Sequence, residues 1–290
     1  MFSGSMVAIV TPFLNNRVDE KALRKLVNFQ IDNGTSVIVP CGTTGESATL
    51  SAKEHEHVID IVVKEVNGRV KVVAGTGSNN TAEALKLTAH AKKAGVDGVL
   101  IITPYYNKPT QEGVYQHFKV LSDNVDIPII AYNIASRTGI NITPQTMKRI
   151  SELENVAGVK EASSNVKQMA DVKRLCPDNF DLISGDDALT LPVLSIGGTG
   201  VISVVANVAP KDVCAMIKAY QGKDYDTATD IYYRLMPLVD AMFIETNPVP
   251  VKTSLSLMGM TSDEIRLPLY KMSDANLVKL KKVLTDYSLI

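Results

Sequence analysis

The sequence has no excess of either charge. Its 30 lysines and arginines face 31 acids, for a net charge of −1. No global field therefore draws the chain toward nucleic acid or anionic lipid. It has no basic run with interleaved aromatics and no apolar stretch long enough to span a membrane. The opening residues, Met1-Phe2-Ser3-Gly4-Ser5-Met6, lack a basic segment leading into an apolar one, so no signal peptide is expected. Cysteine is sparse and odd in number: Cys41, Cys176 and Cys214 stand far apart. That pattern suits free thiols in a reducing compartment, and a cytoplasmic location is expected. The four histidines include His55-Glu56-His57. On a helix, residues i and i+2 point apart and make a poor chelate, so no metal and no cofactor are expected.

Apolar residues make up 45% of the chain and charged residues 21%, as in a globular protein with a large core. A length of 290 residues fits one α/β barrel or two ordinary domains. Short apolar runs alternate with amphipathic segments. The expected strands are Met6–Thr11, Val37–Cys41, Lys71–Ala74, Gly98–Thr103, Pro128–Tyr132, Val156–Lys160, Asp181–Ser184 and Gly200–Val205. The helices expected between and after them are Asp19–Asp32, Ser51–Val66, Thr81–Ala94, Gln111–Asp123, Thr143–Leu153, Asn165–Leu175, Leu189–Ile196 and Lys211–Tyr220. Ser51 with Glu54 forms a capping box, and Thr81 and Thr143 are expected to open their helices with a side-chain acceptor. The strands are continuously apolar, as parallel strands buried on both faces are. Eight such units predict a (β/α)8 TIM barrel over residues 1–221, with a doubly wound open sheet as the alternative. Residues 222–290 read as a C-terminal α-helical region of three helices (Asp224–Met242, Pro250–Met258, Asp274–Tyr287), a surface for packing subunits.

In a parallel barrel, catalytic groups sit at the C-terminal strand ends. The run Val156-Ala157-Gly158-Val159-Lys160 closes on a lysine. Half buried there, its charged form is disfavoured and a neutral amine becomes available to form a Schiff base. Taken alone, the run fits equally a lysine reaching solvent. The other strand ends add Gly42-Thr43-Thr44-Gly45-Glu46, where hydroxyls and amides can hold a carboxylate, and Thr103-Pro104-Tyr105-Tyr106, a stiff aromatic loop. They also add Tyr132, an acid/base candidate beside Lys160, and Arg137, a bidentate carboxylate clamp or a surface ion pair. Asp186 and Asp187 read as helix caps, and Gly75-Thr76-Gly77 and Gly197–Gly200 as turns. Without a metal set, carbon–carbon bond chemistry on a keto acid calls for a lysine imine.

These stretches, with Ser184-Gly185-Asp186-Asp187, Gly200-Val201-Ile202-Ser203 and Asn247-Pro248-Val249-Pro250-Val251-Lys252, resemble the dihydrodipicolinate synthase family of pyruvate-dependent class I aldolases over essentially the whole chain. The resemblance implies a lyase in which Lys160 forms the imine with pyruvate. It implies a proton relay of Tyr132, Thr44 and Tyr106, with Tyr106 reaching in from a neighbouring subunit. Thr43 and Thr44 would hold the pyruvate carboxylate and Arg137 that of L-aspartate 4-semialdehyde, with Gly185 and Ile202 shaping the pocket. A homotetramer, built as a dimer of dimers, is implied as well. Ser47, Ala48, His55, Asn79, Glu83 and Tyr105 match a feedback site for lysine in some relatives, with Ala52 where lysine-sensitive relatives often carry histidine. Ala135 replaces a proline usual in the family, which implies a looser Arg137 loop. The alternatives are a sugar-acid aldolase such as N-acetylneuraminate lyase, which usually lacks the Arg137 position, and a non-catalytic keto-acid sensor, which has no need of a relay.

Overall fold

A computed structural model describes all residues 1–290. Eight strands form a closed barrel: β1 Gly4–Ala8, β2 Val37–Val39, β3 Lys71–Gly75, β4 Gly98–Ile102, β5 Ile129–Asn133, β6 Val156–Glu161, β7 Asp181–Ser184 and β8 Gly200–Ser203. Their order around it is β1-β8-β7-β6-β5-β4-β3-β2, so consecutive strands are neighbours and no sheet edge is left open. The barrel read from the sequence is present, and the doubly wound alternative falls with the closure. Pairing is parallel, with Met6 opposite Val37, Val99 opposite Ile129, Tyr132 opposite Lys160 and Lys160 opposite Ile183.

Eight helices follow the strands in turn: α1 Glu20–Asp32, α2 Ala52–Val66, α3 Thr81–Ala94, α4 Gln111–Asn124, α5 Pro144–Ser151, α6 Val166–Leu175, α7 Thr190–Ser195 and α8 Pro210–Gln221. Then α9 Tyr225–Met242, α10 Val249–Leu257 and α11 Asp274–Asp286 run on without an intervening strand. Caps account for most starts. The Asp19 carboxylate accepts from Ala22 N and the Thr143 hydroxyl from Thr146 N, while Ser51 and Glu54 make the full capping box. Each is worth about 1 kcal/mol.

Two expectations are corrected and one element is added. The first strand is Gly4–Ala8, not Met6–Thr11. Its apolar run continues past the last ladder bond, from Ile9 N to Val39 O, because burial and strand pairing end at different residues. The cap of α3 is Asn80, whose side chain accepts from Ala82 N; the Thr81 hydroxyl instead pairs with His117 Nδ1 at 2.9 Å. A small hairpin, Phe13–Leu14 with Arg17–Val18, was not foreseen. Asn15 and Asn16 turn it at φ 53° and 59°, the left-handed conformation that asparagine tolerates in a two-residue hairpin loop.

Two compact units divide the chain: Met1–Ser3 with Lys71–Ile202, and Gly4–Val70 with Ser203–Ile290. The first contains β3 to β7 around a core that includes Val73, Ile101, Ile130, Val159 and Ile183. Phe2 N donates to Asp181 Oδ2 at 2.7 Å within it. In the second, α1 packs on α2, α8 on both β1 and α9, and α11 on both α9 and α10, so the C-terminal helices share a unit with the first strand.

Candidate active site

The first unit carries the lysine. Parallel pairing sets Tyr132, on β5, directly across from Lys160, on β6. Lys160 is only 6% exposed, and its Nζ lies 4.3 Å from the centroid of the Tyr132 ring. Burial draws the amine down from its ordinary 10.5 to about 8; the Arg137 guanidinium pushes the same way and the Asp187 carboxylate opposes both. A fraction of the lysine is therefore neutral at physiological pH, which is the form that attacks a carbonyl. Gly185 stands against this side chain. A Cβ there would come 2.7 Å from Ala162 Cβ and 3.1 Å from Lys160 Cγ, so any larger residue would push the lysine aside. Ile202, buried at 1% exposure, lies near the end of β8 in the same unit.

The paired acids divide their work. Asp186 is the cap read from the sequence, its carboxylate accepting from Ala188 N at 3.0 Å. Asp187 does not cap; it is buried and its charge acts on Lys160. This role depends on the turn after β7, which spacing alone does not give.

One residue beyond Lys160, Glu161 is fully buried and organises the loops around it. Asn133 Nδ2 donates to both of its carboxylate oxygens at 3.1 and 3.0 Å, Ser163 N at 2.8 Å and Gln168 Nε2 at 3.3 Å. Burial, the largest influence, pushes its pKa up, and these donors offset part of the rise. Asn133 also reaches into the Arg137 loop: its Oδ1 accepts from Ile142 N and its Nδ2 donates to Asn141 Oδ1. Arg137 itself is exposed on a four-residue helical turn, Ala135–Thr138. The turn is held by bonds from Arg137 N and Thr138 N to Ile134 O, each 3.1 Å, and from Gly139 N to Ala135 O at 2.9 Å. The loosening expected from Ala135 is thus opposed by backbone bonds that do not involve a proline.

Tyr106 is apart from these groups. It is 88% exposed and holds φ 72°, and Lys108 holds φ 42°. Left-handed backbone at bulky residues is costly. Asn107 Nδ2 donates to Asn79 O at 2.9 Å, which ties the loop to the one between β3 and α3.

The second unit carries the hydroxyls. The loop after β2 turns on Cys41 at φ 56° and Glu46 at φ 53°. Thr11 Oγ1 donates to Gly45 O at 2.7 Å and Glu46 N to Thr43 O at 3.1 Å. A Cβ at Gly45 would lie 3.1 Å from Cys41 N and 3.2 Å from Ile9 O, so the tight fold requires glycine. Thr44 is buried, and its Oγ1 accepts from Asn247 Nδ2 at 3.0 Å. Glu46 is buried against Lys252 of α10, with Nζ to Oε1 2.5 Å. Burial lowers the Lys252 pKa while Glu46 opposes. Lys252 Nζ and Arg266 Cζ lie 4.2 and 4.1 Å from the centroid of the Phe13 ring, and Arg266 pairs with Glu54. Glu46, Asn247 and Lys252 lie in the Gly42–Glu46 and Asn247–Lys252 stretches, and spacing alone assigns them no role. A lone lysine inside the apolar run Val249–Leu257 was the signal that could have found this pair.

The six residues of the lysine-site expectation fall in both units. Ser47, Ala48 and the buried His55 lie in the second; Asn79, Glu83 and Tyr105 lie in the first, where Asn107 joins the loop of Tyr105 to Asn79 and Ser78 Oγ donates to Glu83 Oε2.

A profile of the dihydrodipicolinate synthetase family matches residues 1–287. The chain belongs to this family. It is 57% identical to the 4-hydroxy-tetrahydrodipicolinate synthase of Syntrophus aciditrophicus (strain SB), over 100% of both sequences. The dihydrodipicolinate synthase structure from Aquifex aeolicus superposes with a TM-score of 0.98 at 50% identity, covering 99% of each chain. The Acinetobacter baumannii dihydrodipicolinate synthase, solved in complex with pyruvate, gives 0.98 at 40% identity over 100% of each chain. Among dihydrodipicolinate synthases, then, this chain is a lyase with the closed barrel of its relatives.

Proposed function

We propose that this chain joins pyruvate to L-aspartate 4-semialdehyde to form 4-hydroxy-tetrahydrodipicolinate, in the diaminopimelate route to lysine. The observation that carries the reading is Lys160, buried at a strand end against Tyr132 with its pKa drawn to about 8. Its neutral amine adds to the keto carbon of pyruvate, and loss of water leaves an imine. The imine takes up electron density when a methyl proton departs, giving an enamine without help from a metal or cofactor. The enamine carbon attacks the aldehyde, and a proton moves to the new alkoxide. The amino group of the semialdehyde then adds to the imine carbon, closes the ring and releases Lys160.

Tyr132, Thr44 and the Tyr106 of a second copy are assigned to proton transfer in this scheme. Thr43 and Thr44 are assigned to the pyruvate carboxylate, Arg137 to the carboxylate of the semialdehyde, and Gly185 and Ile202 to the pocket wall. The exposure and strained backbone of Tyr106 support its assignment to a neighbouring subunit, in a homotetramer built as a dimer of dimers. Three unpaired cysteines support a cytoplasmic setting. Ser47, Ala48, His55, Asn79, Glu83 and Tyr105 are the proposed lysine-responsive site; an initial rate unmoved by added L-lysine would remove that assignment.

Two measurements test the reaction. Borohydride with pyruvate should leave a reduced adduct on Lys160, located by peptide mass. Purified protein should consume pyruvate with the semialdehyde and not with N-acetylmannosamine. The reverse preference would keep the imine chemistry but replace both the acceptor and the role of Arg137.

A further inference from the structure

The turn leading into α10 and the first part of α10 touch the loop after β2 at two points, both deeply buried. Asn247 Nδ2 donates to Thr44 Oγ1 at 3.0 Å, and two residues further along the loop Glu46 pairs with Lys252 at 2.5 Å. Thr44 and Asn247 are 2% and 5% exposed, and both side chains of the ion pair are at most 1% exposed. Arg266 N adds a third tie, donating to Glu46 Oε2 at 3.3 Å. A pair buried this completely holds its two segments in one register, because losing either partner strands a charge away from water.

The chemistry of the first contact follows from what each group can do. A threonine hydroxyl has one proton to donate and two lone pairs that accept. An amide nitrogen can only donate. With Asn247 filling one lone pair, the hydroxyl proton of Thr44 cannot point toward the asparagine and must be offered elsewhere. A donor on the oxygen also stabilises the negative charge that builds there as the proton leaves, and it is already in position before the reaction starts.

We propose that Asn247 is a positioning residue for proton transfer in the reaction proposed above: its amide sets the direction of the Thr44 hydroxyl and supports charge on that oxygen, while the Lys252–Glu46 pair holds the 247–252 segment in place. The assignment rests on Thr44 serving in the relay. It gives the C-terminal helical region, through the turn that leads into α10, a part in the chemistry.

The test separates proton transfer from imine formation by supplying pyruvate alone. Exchange of the pyruvate methyl protons in D2O, followed by NMR, reports the relay; borohydride trapping reports the imine. Asn247→Ala should trap pyruvate as the unaltered protein does and keep KM for pyruvate within about threefold, while exchange and kcat fall by about tenfold or more, one lost pre-positioned donor costing that order. Asn247→Asp should be slower still and should grow worse as pH rises, because its carboxylate accepts the Thr44 proton and pins it. In a Thr44→Val background, Asn247→Ala should add no further loss of exchange, since no hydroxyl is left to orient. Parallel loss of trapping, exchange and thermal stability would mean a structural role and overturn the proposal. So would unchanged exchange in Asn247→Asp, or a full additional loss in the Thr44→Val background. If the unaltered protein neither traps pyruvate nor exchanges its protons, the proposed reaction itself falls, and this inference falls with it. If it does both and the asparagine variants match it, only the inference falls.

Discussion

A lysine whose pKa is held near 8 inside the fold lowers stability wherever water would have kept it charged. The folded value lies below the ordinary 10.5, so Lys160 contributes no penalty above pH 10.5. Stability is lost as pH falls from 10.5 through about 8, and below that the loss is constant. At about 1.4 kcal/mol per pH unit, the loss is on the order of 3 kcal/mol. Lys160→Met removes the charge and keeps the apolar stem. It should abolish pyruvate trapping and raise stability at pH 7 by about 1–3 kcal/mol, the lower figure allowing for an Asp187 carboxylate left without its cation. The gain should vanish at pH 11. Denaturant unfolding at the two pH values checks this, and equal stability of the two proteins at pH 7 would refute it. In the unaltered protein, the rate of imine formation should rise with pH and level off above about 8.

At the scale of elements, the barrel was legible because its strands are apolar along their whole length, and burial on both faces leaves that mark in composition. Strand ends were less legible, since pairing stops where the ladder stops: β1 gave up residues at one end and gained Gly4 and Ser5 at the other. The strand-end residues Lys160 and Tyr132 were legible for the same reason as the barrel, as polar groups where an apolar run ends. Asp187, Glu161, Asn247 and Lys252 were not. Their roles come from partners that only the folded chain brings near, 206 positions apart for Lys252 and Glu46. The helical turn carrying Arg137 shows how local structure can replace a missing residue. Ala135 opens that turn, and Ile134 before it, at φ −143°, ψ 83°, lies outside the α region that a following proline disfavours. Ala135→Pro should therefore fold normally and gain about 0.5 kcal/mol from a less flexible unfolded chain. With the turn already bonded, kcat and KM should stay within about twofold, since a structure that is preorganised has little left to gain. A markedly lower KM for the semialdehyde would instead show that alanine leaves Arg137 poorly held.

At the scale of the molecule, the assignment of Tyr106 to a neighbouring copy predicts complementation. Lys160→Ala and Tyr106→Phe should each be nearly inactive alone. When the two are unfolded, mixed in equal amounts and refolded together, half the dimers should be hybrids. Each hybrid holds one site with both an intact lysine and an intact tyrosine, so about a quarter of the full activity should return, as expected of a two-fold exchange. No recovery, with mixed dimers shown to be present by mass, would place Tyr106 in its own subunit's site or outside the chemistry.

The loop that carries Tyr106 is set before any partner arrives. Its left-handed residues and the Asn107 tether fix the path of its backbone within a single chain. Docking of two copies would then freeze few backbone torsions, and the entropy usually lost when a flexible arm is caught would fall mainly on the tyrosine side chain. Such an encounter resembles a key entering a lock more than an arm folding on arrival. Its rate should follow diffusion and orientation, and its lifetime should follow how well the ring fills the receiving surface.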